Sequence, residues 1–306
     1  MPGHSPAGTL RAFACAGLLW AAAASPLGAQ AAVSDGRAAT RDAAIRVFVV
    51  TGSLRVTAWD RDSVSVKGRV DPAAGRFFFG GTANALKLGV EPPDRGSPAG
   101  SSDLDLMVPA GTRLWIKSTA ADVDVSALGG SIEVTGASGR VRVAGTPAET
   151  SVETLDGNVE LVIRGRIARA RTASGTIVVR GVLQDLVASS VSGPLLIGME
   201  GDAHRVSLET VSSEIAFKGG LVRDGRLQAE THAGDIELRL PPALGVRYHM
   251  VSYGGGLHNE LVPERAVQRG PNKGEYTVTT GDGGAVVDVR TFKGTVTIKA
   301  RGPETY

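Results

Sequence analysis

The residues of this chain best suited by type to acid–base chemistry are the carboxylates Asp122, Asp124, Asp156, Glu160, Asp235 and Glu237. Cleaving a glycosidic bond needs two such groups facing one bond, about 5 to 10 Å apart. These six instead recur at equivalent places in a regular pattern, and the sign alternates from one copy to the next, as in Asp124, Arg142 and Glu160. That arrangement predicts a ladder of surface ion pairs. The densest group of polar aromatics is Tyr248-His249-Met250-Val251-Ser252-Tyr253, with His258 nearby. Two histidines could contribute to a metal centre, but no acid–histidine spacing of a zinc motif accompanies them. His204 and His232 stand alone and are expected on the surface, and the run Arg164, Arg166, Arg169, Arg171 reads as a solvated face. No Gly-x-Ser-x-Gly elbow, phosphate-binding loop or calcium-binding glycine–aspartate nonapeptide is found. The expectation is therefore no catalytic residue, no metal, no cofactor and no enzyme activity.

The pattern that holds these residues is a repeat. Thr154-Leu155-Asp156-Gly157-Asn158-Val159-Glu160-Leu161 shows its form: Ser/Thr, two variable residues, Gly, then alternating apolar positions. It recurs from Thr172, Ser190, Thr231 and Thr291, with weaker copies from Ser118, Thr210 and Ser252. Ala121, Gly139, Gly157, Gly175 and Gly193 are each 18 residues apart; Ser213, Gly234 and Gly255 follow at steps of 20, 21 and 21, and Gly294 after 39. A period of this size with alternating apolar residues predicts stacked β units. Two columns are aliphatic almost throughout, one through Val123, Val141, Val159 and Ile177, the other through Val125, Val143, Leu161 and Val179. They are expected to face inward, and the column between them outward. One unit of this size buries too little to offset the entropy of ordering it, so neighbouring units must pair. Glycine at the turn is expected for its freedom to take positive φ. The Ser/Thr column is expected to line an inner corner.

The segments around the repeat complete the organisation. Residues 1–31 read as a signal peptide: Arg11, an apolar run from Ala12 to Ala24, and an Ala29-Gln30-Ala31 cleavage step. Cys15, the only cysteine, lies inside it, so the mature chain has no thiol for disulfide or metal chemistry. Removing Arg11 from the 33 basic residues leaves 32 against 31 acidic, a net charge of +1, which gives no electrostatic bias towards nucleic acid. Residues 32–44 read as a disordered leader, 45–110 as an N-terminal β cap with an irregular Gly- and Pro-rich loop, 111–300 as the repeat, and 301–306 as a tail. Within the loop, Phe77-Phe78-Phe79 is expected to cover one side of the core or to form an exposed tip. Arg265 to Lys273 reads as an inserted loop. No stretch of the mature chain is long and apolar enough to span a membrane as a helix.

Gly-x-Leu-x-Val at Gly52, the Val108-Pro109-Ala110-Gly111 step, the repeat units and Leu240-Pro241-Pro242 together resemble a family of exported bacterial β-repeat proteins, a domain of unknown function called "putative adhesin". The resemblance spans about Ile45 to Ala300. The unit at Gly255 departs from it, with Asn259 in an apolar column. The resemblance implies an all-β, parallel β-solenoid or β-helix-like stack of about 18–21-residue repeats with an N-terminal β cap, located in the periplasm, on the cell surface or outside the cell. It supplies no catalytic residues. The expected role is a non-enzymatic interaction module; the alternatives are a carbohydrate-active enzyme on a parallel β-helix and a purely structural envelope protein. The partner would be a protein, a glycan or an envelope component, or a second copy of the chain. The sequence points to one place for it. The outward column is charged at Asp124, Arg142 and Glu160, turns apolar at Val178, Leu196 and Ala216, with Pro194 beside Leu196, and returns to charge at Glu237. A solvent-facing ladder loses charge over three units where something covers it.

Overall fold

A computed structural model of the chain describes residues 3, 30–92, 100–242, 244–261 and 267–301. The apolar run from Ala12 to Ala24, Cys15 and residues 302–306 of the expected tail lie outside the described residues. Those described form an all-β structure without a helix. The N-terminal strands are β1 (Ala31–Ala38), β2 (Ala44–Trp59), β3 (Ser63–Val70), β4 (Arg76–Thr82), β5 (Ala85–Glu91) and β6 (Ser102–Pro109). The middle of the chain holds β7 (Arg113–Leu128), β8 (Ser131–Thr135), β9 (Val141–Gly145), β10 (Glu149–Glu153), β11 (Val159–Thr172), β12 (Ile177–Ser190), β13 (Leu195–Thr210), β14 (Ile215–Thr231) and β15 (Ile236–Leu240). Then come β16 (Val246–Ser252), β17 (Leu257–Asn259), β18 (Gln268–Arg269), β19 (Glu275–Thr279), β20 (Ala285–Thr291) and β21 (Val296–Ala300).

Through the middle, successive units pair in parallel and in register. Val123 pairs with Val141, Val141 with Val159, Val159 with Ile177, Ile177 with Leu195, Leu195 with Ile215 and Ile215 with Ile236. These residues are all buried, as are Val125, Val143, Leu161, Val179 and Ile197 in the second column. The side chains between the columns point to solvent, because strand period is two. Equivalent apolar residues thus lie about 4.8 Å apart in continuous rows.

The corner before each turn is built from the Ser/Thr column. Thr154, Thr172, Ser190, Thr210 and Thr231 are buried. Except at Thr210, where Ser213 takes the place of glycine, the hydroxyl accepts the N–H of the glycine three residues on, at 3.1 Å for Thr154 and Gly157 and 2.8 Å for Ser190 and Gly193. Several also donate to a carbonyl one layer away, as Thr172 does to Gly157 at 3.2 Å. Where Ala121 stands in place of glycine, β7 runs straight through the position, and the Ser118 hydroxyl is buried without a partner among the described residues.

The glycines serve a purpose other than the expected one. In their column, from Gly139 to Gly294, only Gly139 has positive φ, at 96°. At the others the constraint is close approach: a Cβ on Gly175 would lie 2.0 Å from the Gly157 carbonyl oxygen, and one on Gly193 would lie 1.8 Å from that of Gly175. The layers meet backbone to backbone at this corner.

Both ends depart from the expected order. Ala31–Ala38, read as the last residue of the signal peptide and the first part of a disordered leader, is a strand paired antiparallel with β3 over eight residues. The segment from Asp71, read as an irregular loop, contains the antiparallel hairpin β4–β5, with residues 93–99 outside the described set. β2, read as the cap, is an inner layer: β7 pairs with it on one side, β5 and β6 on the other. The C-terminal end mirrors this. β20 lies between β14 and β16, and β21 between β15 and β17, so the layer of Gly294 sits between those of Gly234 and Gly255. The 39-residue step to Gly294 therefore does not represent two sequential layers. The chain adds an outer layer, β16–β17, and then returns beneath it. β19 pairs antiparallel with β16 and with β18, which lies in the segment read as an inserted loop.

Candidate functional site

The outward column keeps its register across the apolar stretch. Glu160 pairs with Val178, Val178 with Leu196, Leu196 with Ala216 and Ala216 with Glu237. Leu196 is 37% exposed, and Val178, Pro194 and Ala216 are half-buried. Val178, Leu196 and Ala216 line a shallow groove of about 270 Å³. Pro194 stands beside the groove and has a separate structural consequence. Elsewhere in its column a backbone N–H donates to an Asp or Asn one layer back: Arg140 to Asp122 at 2.8 Å and Thr176 to Asn158 at 2.9 Å. Proline has no N–H, and the residue one layer back here is Thr176, so the side-chain ladder stops at the strip.

Charge closes in on both sides. Arg180, Lys218 and Arg239 line the groove. They belong to the next outward column, in which Arg180 pairs with Gly198, Gly198 with Lys218, Lys218 with Arg239 and Arg239 with Lys299. Arg180 reaches back to Glu160 at 3.7 Å, and Arg239 and Lys299 hold Glu237 at 2.6 and 3.3 Å. Desolvation is the largest influence on Glu237 and raises its pKa, but the hydrogen bonds and charges of Arg239 and Lys299 outweigh it and hold the carboxyl below its ordinary value. Lys218 makes no ion pair among the described residues, which leaves a free cation at the rim.

The other singled-out residues fall into separate places. Glu160 bridges Arg142 and Arg180, both at 3.7 Å, Asp156 accepts from the Ser174 hydroxyl at 2.7 Å, and Asp235 accepts from the Thr295 N–H at 2.7 Å. Asp122 and Asp124 share one small groove with Arg55, Arg140 and Arg142. The histidine-rich segment is split by strand alternation. Tyr248 and Met250 enter the core, where burial pushes the Tyr248 phenol above its ordinary range. His249 faces outward between Glu275 at 3.2 Å and Asp288 at 3.5 Å, and His258 is apart, at 3.2 Å from Glu260. Hydrogen bonds from Asn272, then from His249, lower the Glu275 pKa. Among the described residues no three His, Cys, Asp or Glu side chains are grouped as a metal ion requires. In the basic run, Arg164 pairs with Glu200 and Arg169 with Glu149.

One surface feature escaped sequence reasoning. The residue after the Ser/Thr, treated as variable, is a large exposed apolar side chain in five of the units. Leu155, Val191 and Tyr253 are more than half exposed, and Val211 and Phe292 are close to that. This column ends in stacked rings, His232 on Phe292 at 5.0 Å, with Tyr253 at 5.7 Å beyond. The signal was present as a column, one position on from the one that was followed.

No protein-family model matches the chain, and no curated protein does. Solved structures do match. One from Clostridium sporogenes, described as a putative cell adhesion protein, is 9% identical with a TM-score of 0.26, covering 88% of this chain and 100% of its own. A putative adhesin of Bacteroides fragilis is 11% identical with a TM-score of 0.41, covering 89% and 98%. A putative adhesin of Parabacteroides distasonis is 15% identical with a TM-score of 0.39, again covering 89% and 98%. The chain is distantly similar to all three.

Proposed function

We propose that the chain is an exported, non-enzymatic, adhesin-like β-solenoid that acts as an interaction module in the cell envelope or outside the cell. Export rests on the signal-like first 31 residues, and the solenoid reading on the in-register parallel pairing of 18-residue units. The adhesin-like character rests on the motifs that resemble that family. The observation that carries the interaction reading is the strip itself: ionic layers flank it, its three outward side chains are apolar, and Leu196 stays 37% exposed. An apolar strip beside a row of cations suits an apolar partner segment with an acidic margin. The mature protein and its Leu196→Arg variant should melt alike, since the change lies on the solvent side. The variant should lose the partner captured from envelope fractions by crosslinking. Unchanged capture would remove the strip from the function. Release of reducing ends from envelope polysaccharides by the purified protein would overturn the non-enzymatic reading.

A further inference from the structure

A second groove, of about 760 Å³, lies near the N-terminal end on the outward face of the preceding ladder. Lys87, Arg46, Trp115 and Glu133 are successive members of one outward column there, each about one strand spacing from the next. Trp115 Nε1 donates to Glu133 Oε1 at 3.1 Å. That bond reaches to the neighbouring strand, so the N–H edge of the half-buried indole is directed along the sheet. Phe48 meets the indole edge-on at 5.3 Å and 70°, and Phe78 adjoins Phe48 at 6.3 Å. The Lys87 ammonium sits over both phenylalanine rings, at 4.9 and 5.3 Å. The groove is open to solvent, and its volume falls in the range of small-ligand sites.

Its charges are unbalanced in one direction. Arg46, Arg113 and Lys87 line it, and none makes an ion pair among the described residues. Arg113 donates only to the Asp42 carbonyl, at 3.4 Å. Of the two acids in the lining, Glu149 is paired with Arg169 at 2.7 Å and Glu133 accepts from the neutral indole, which leaves three cations against one unpaired carboxylate. A flat indole bordered by free guanidinium groups matches a ligand with an apolar ring face and an anionic substituent. A neutral sugar would leave the cations without partners, and a simple inorganic anion would leave the rings unused.

We propose that this groove binds an acidic saccharide, a sugar ring carrying a carboxylate or sulfate. The ring's C–H face rests on Trp115, and the anionic group is held by Arg46 and Arg113 through charge-assisted hydrogen bonds. The site is separate from the Val178–Leu196–Ala216 strip and does not depend on it.

The test is calorimetric titration of the mature protein with oligogalacturonate, a sulfated oligosaccharide, a neutral oligosaccharide of the same length, and inorganic sulfate. At least one acidic oligosaccharide should bind saturably, the neutral one about tenfold more weakly or not at all, and sulfate alone without saturation. Trp115→Ala and Arg113→Gln should each weaken binding about tenfold, whereas Leu196→Arg should bind as the parent does. Arg113 is exposed, so its variant keeps the test valid if Trp115→Ala fails to fold. Equal affinity for neutral and acidic oligosaccharides, no binding of either acidic probe, sulfate binding as tightly as the oligosaccharides, or full affinity in Arg113→Gln would each overturn the proposal.

Discussion

Val159 and Glu160 are adjacent in sequence and meet opposite environments: one is 1% exposed in the core, the other carries two exposed ion pairs. Val159→Asp should cost several kcal/mol, because it buries a carboxylate with no partner. Glu160→Ala should cost less than about 1 kcal/mol, because exposed pairs contribute little. Denaturant titration of both compares them directly, and equal losses would reverse the facing of the strand. The corner glycines permit a similar contrast. Gly193→Ala places a methyl 1.8 Å from a carbonyl oxygen, whereas at Gly198 the nearest atom is 3.9 Å away and φ is not in the left-handed region. The first should lose about 1–3 kcal/mol, the second almost nothing. Glu237 gives the pH dependence. Its folded pKa is lowered below 4.5, so its contribution is complete above that value and disappears as pH falls below it, through the folded pKa. Glu237→Gln should flatten the acid limb of a melting-temperature profile relative to the parent, and identical acid limbs would show that Arg239 and Lys299 do not stabilise the carboxylate.

At the scale of elements, legibility followed the period. Wherever units succeed one another at 18 residues, from Ala121 to Gly193, the inward columns could be read by counting, since each residue's partner lies one period away. The strip at Val178, Leu196 and Ala216 was readable for the same reason: a change of chemistry within one column. What escaped depends on partners without a fixed separation. Trp115 meets Phe48, and Phe48 meets Phe78, only because β2 pairs with both β5 and β7, and nothing local to Trp115 marks it. β1 was missed because a short polar segment with Gly36 at its centre has weak strand propensity, and the edge of β3 supplies the hydrogen bonds that order it. The glycines were identified correctly but for the wrong reason, because the carbonyl that excludes a Cβ belongs to the previous layer. Phe77 and Phe79 pack on the core as one reading expected, while alternation turns Phe78 to the other side, where it adjoins Phe48.

At the scale of the whole molecule, the two ends share one construction. The first parallel layer, β2, and the last, β20–β21, are not outermost; strands from further inside the sequence cover them. Such an order keeps the C-terminal strands away from an edge, where fraying is easiest, whereas β1 pairs with β3 alone and forms an edge of its own. The order also makes a prediction that a sequential stack would not. Glu230 pairs with Arg290, and Arg290 with Val251, so Glu230 and Val251 are two strand spacings apart. A disulfide needs Cα atoms about 4.4–6.8 Å apart, which one spacing of about 4.8 Å satisfies and two do not. With Cys15 replaced by serine, the chain has no other thiol. The double variant Glu230→Cys with Arg290→Cys should then oxidise readily and raise the melting temperature. Glu230→Cys with Val251→Cys should stay reduced under the same conditions. Mass spectrometry of the two oxidised digests decides between the orders: a crosslink from 230 to 251 and none from 230 to 290 would mean that the layers follow the sequence and that the C-terminal segment lies outside.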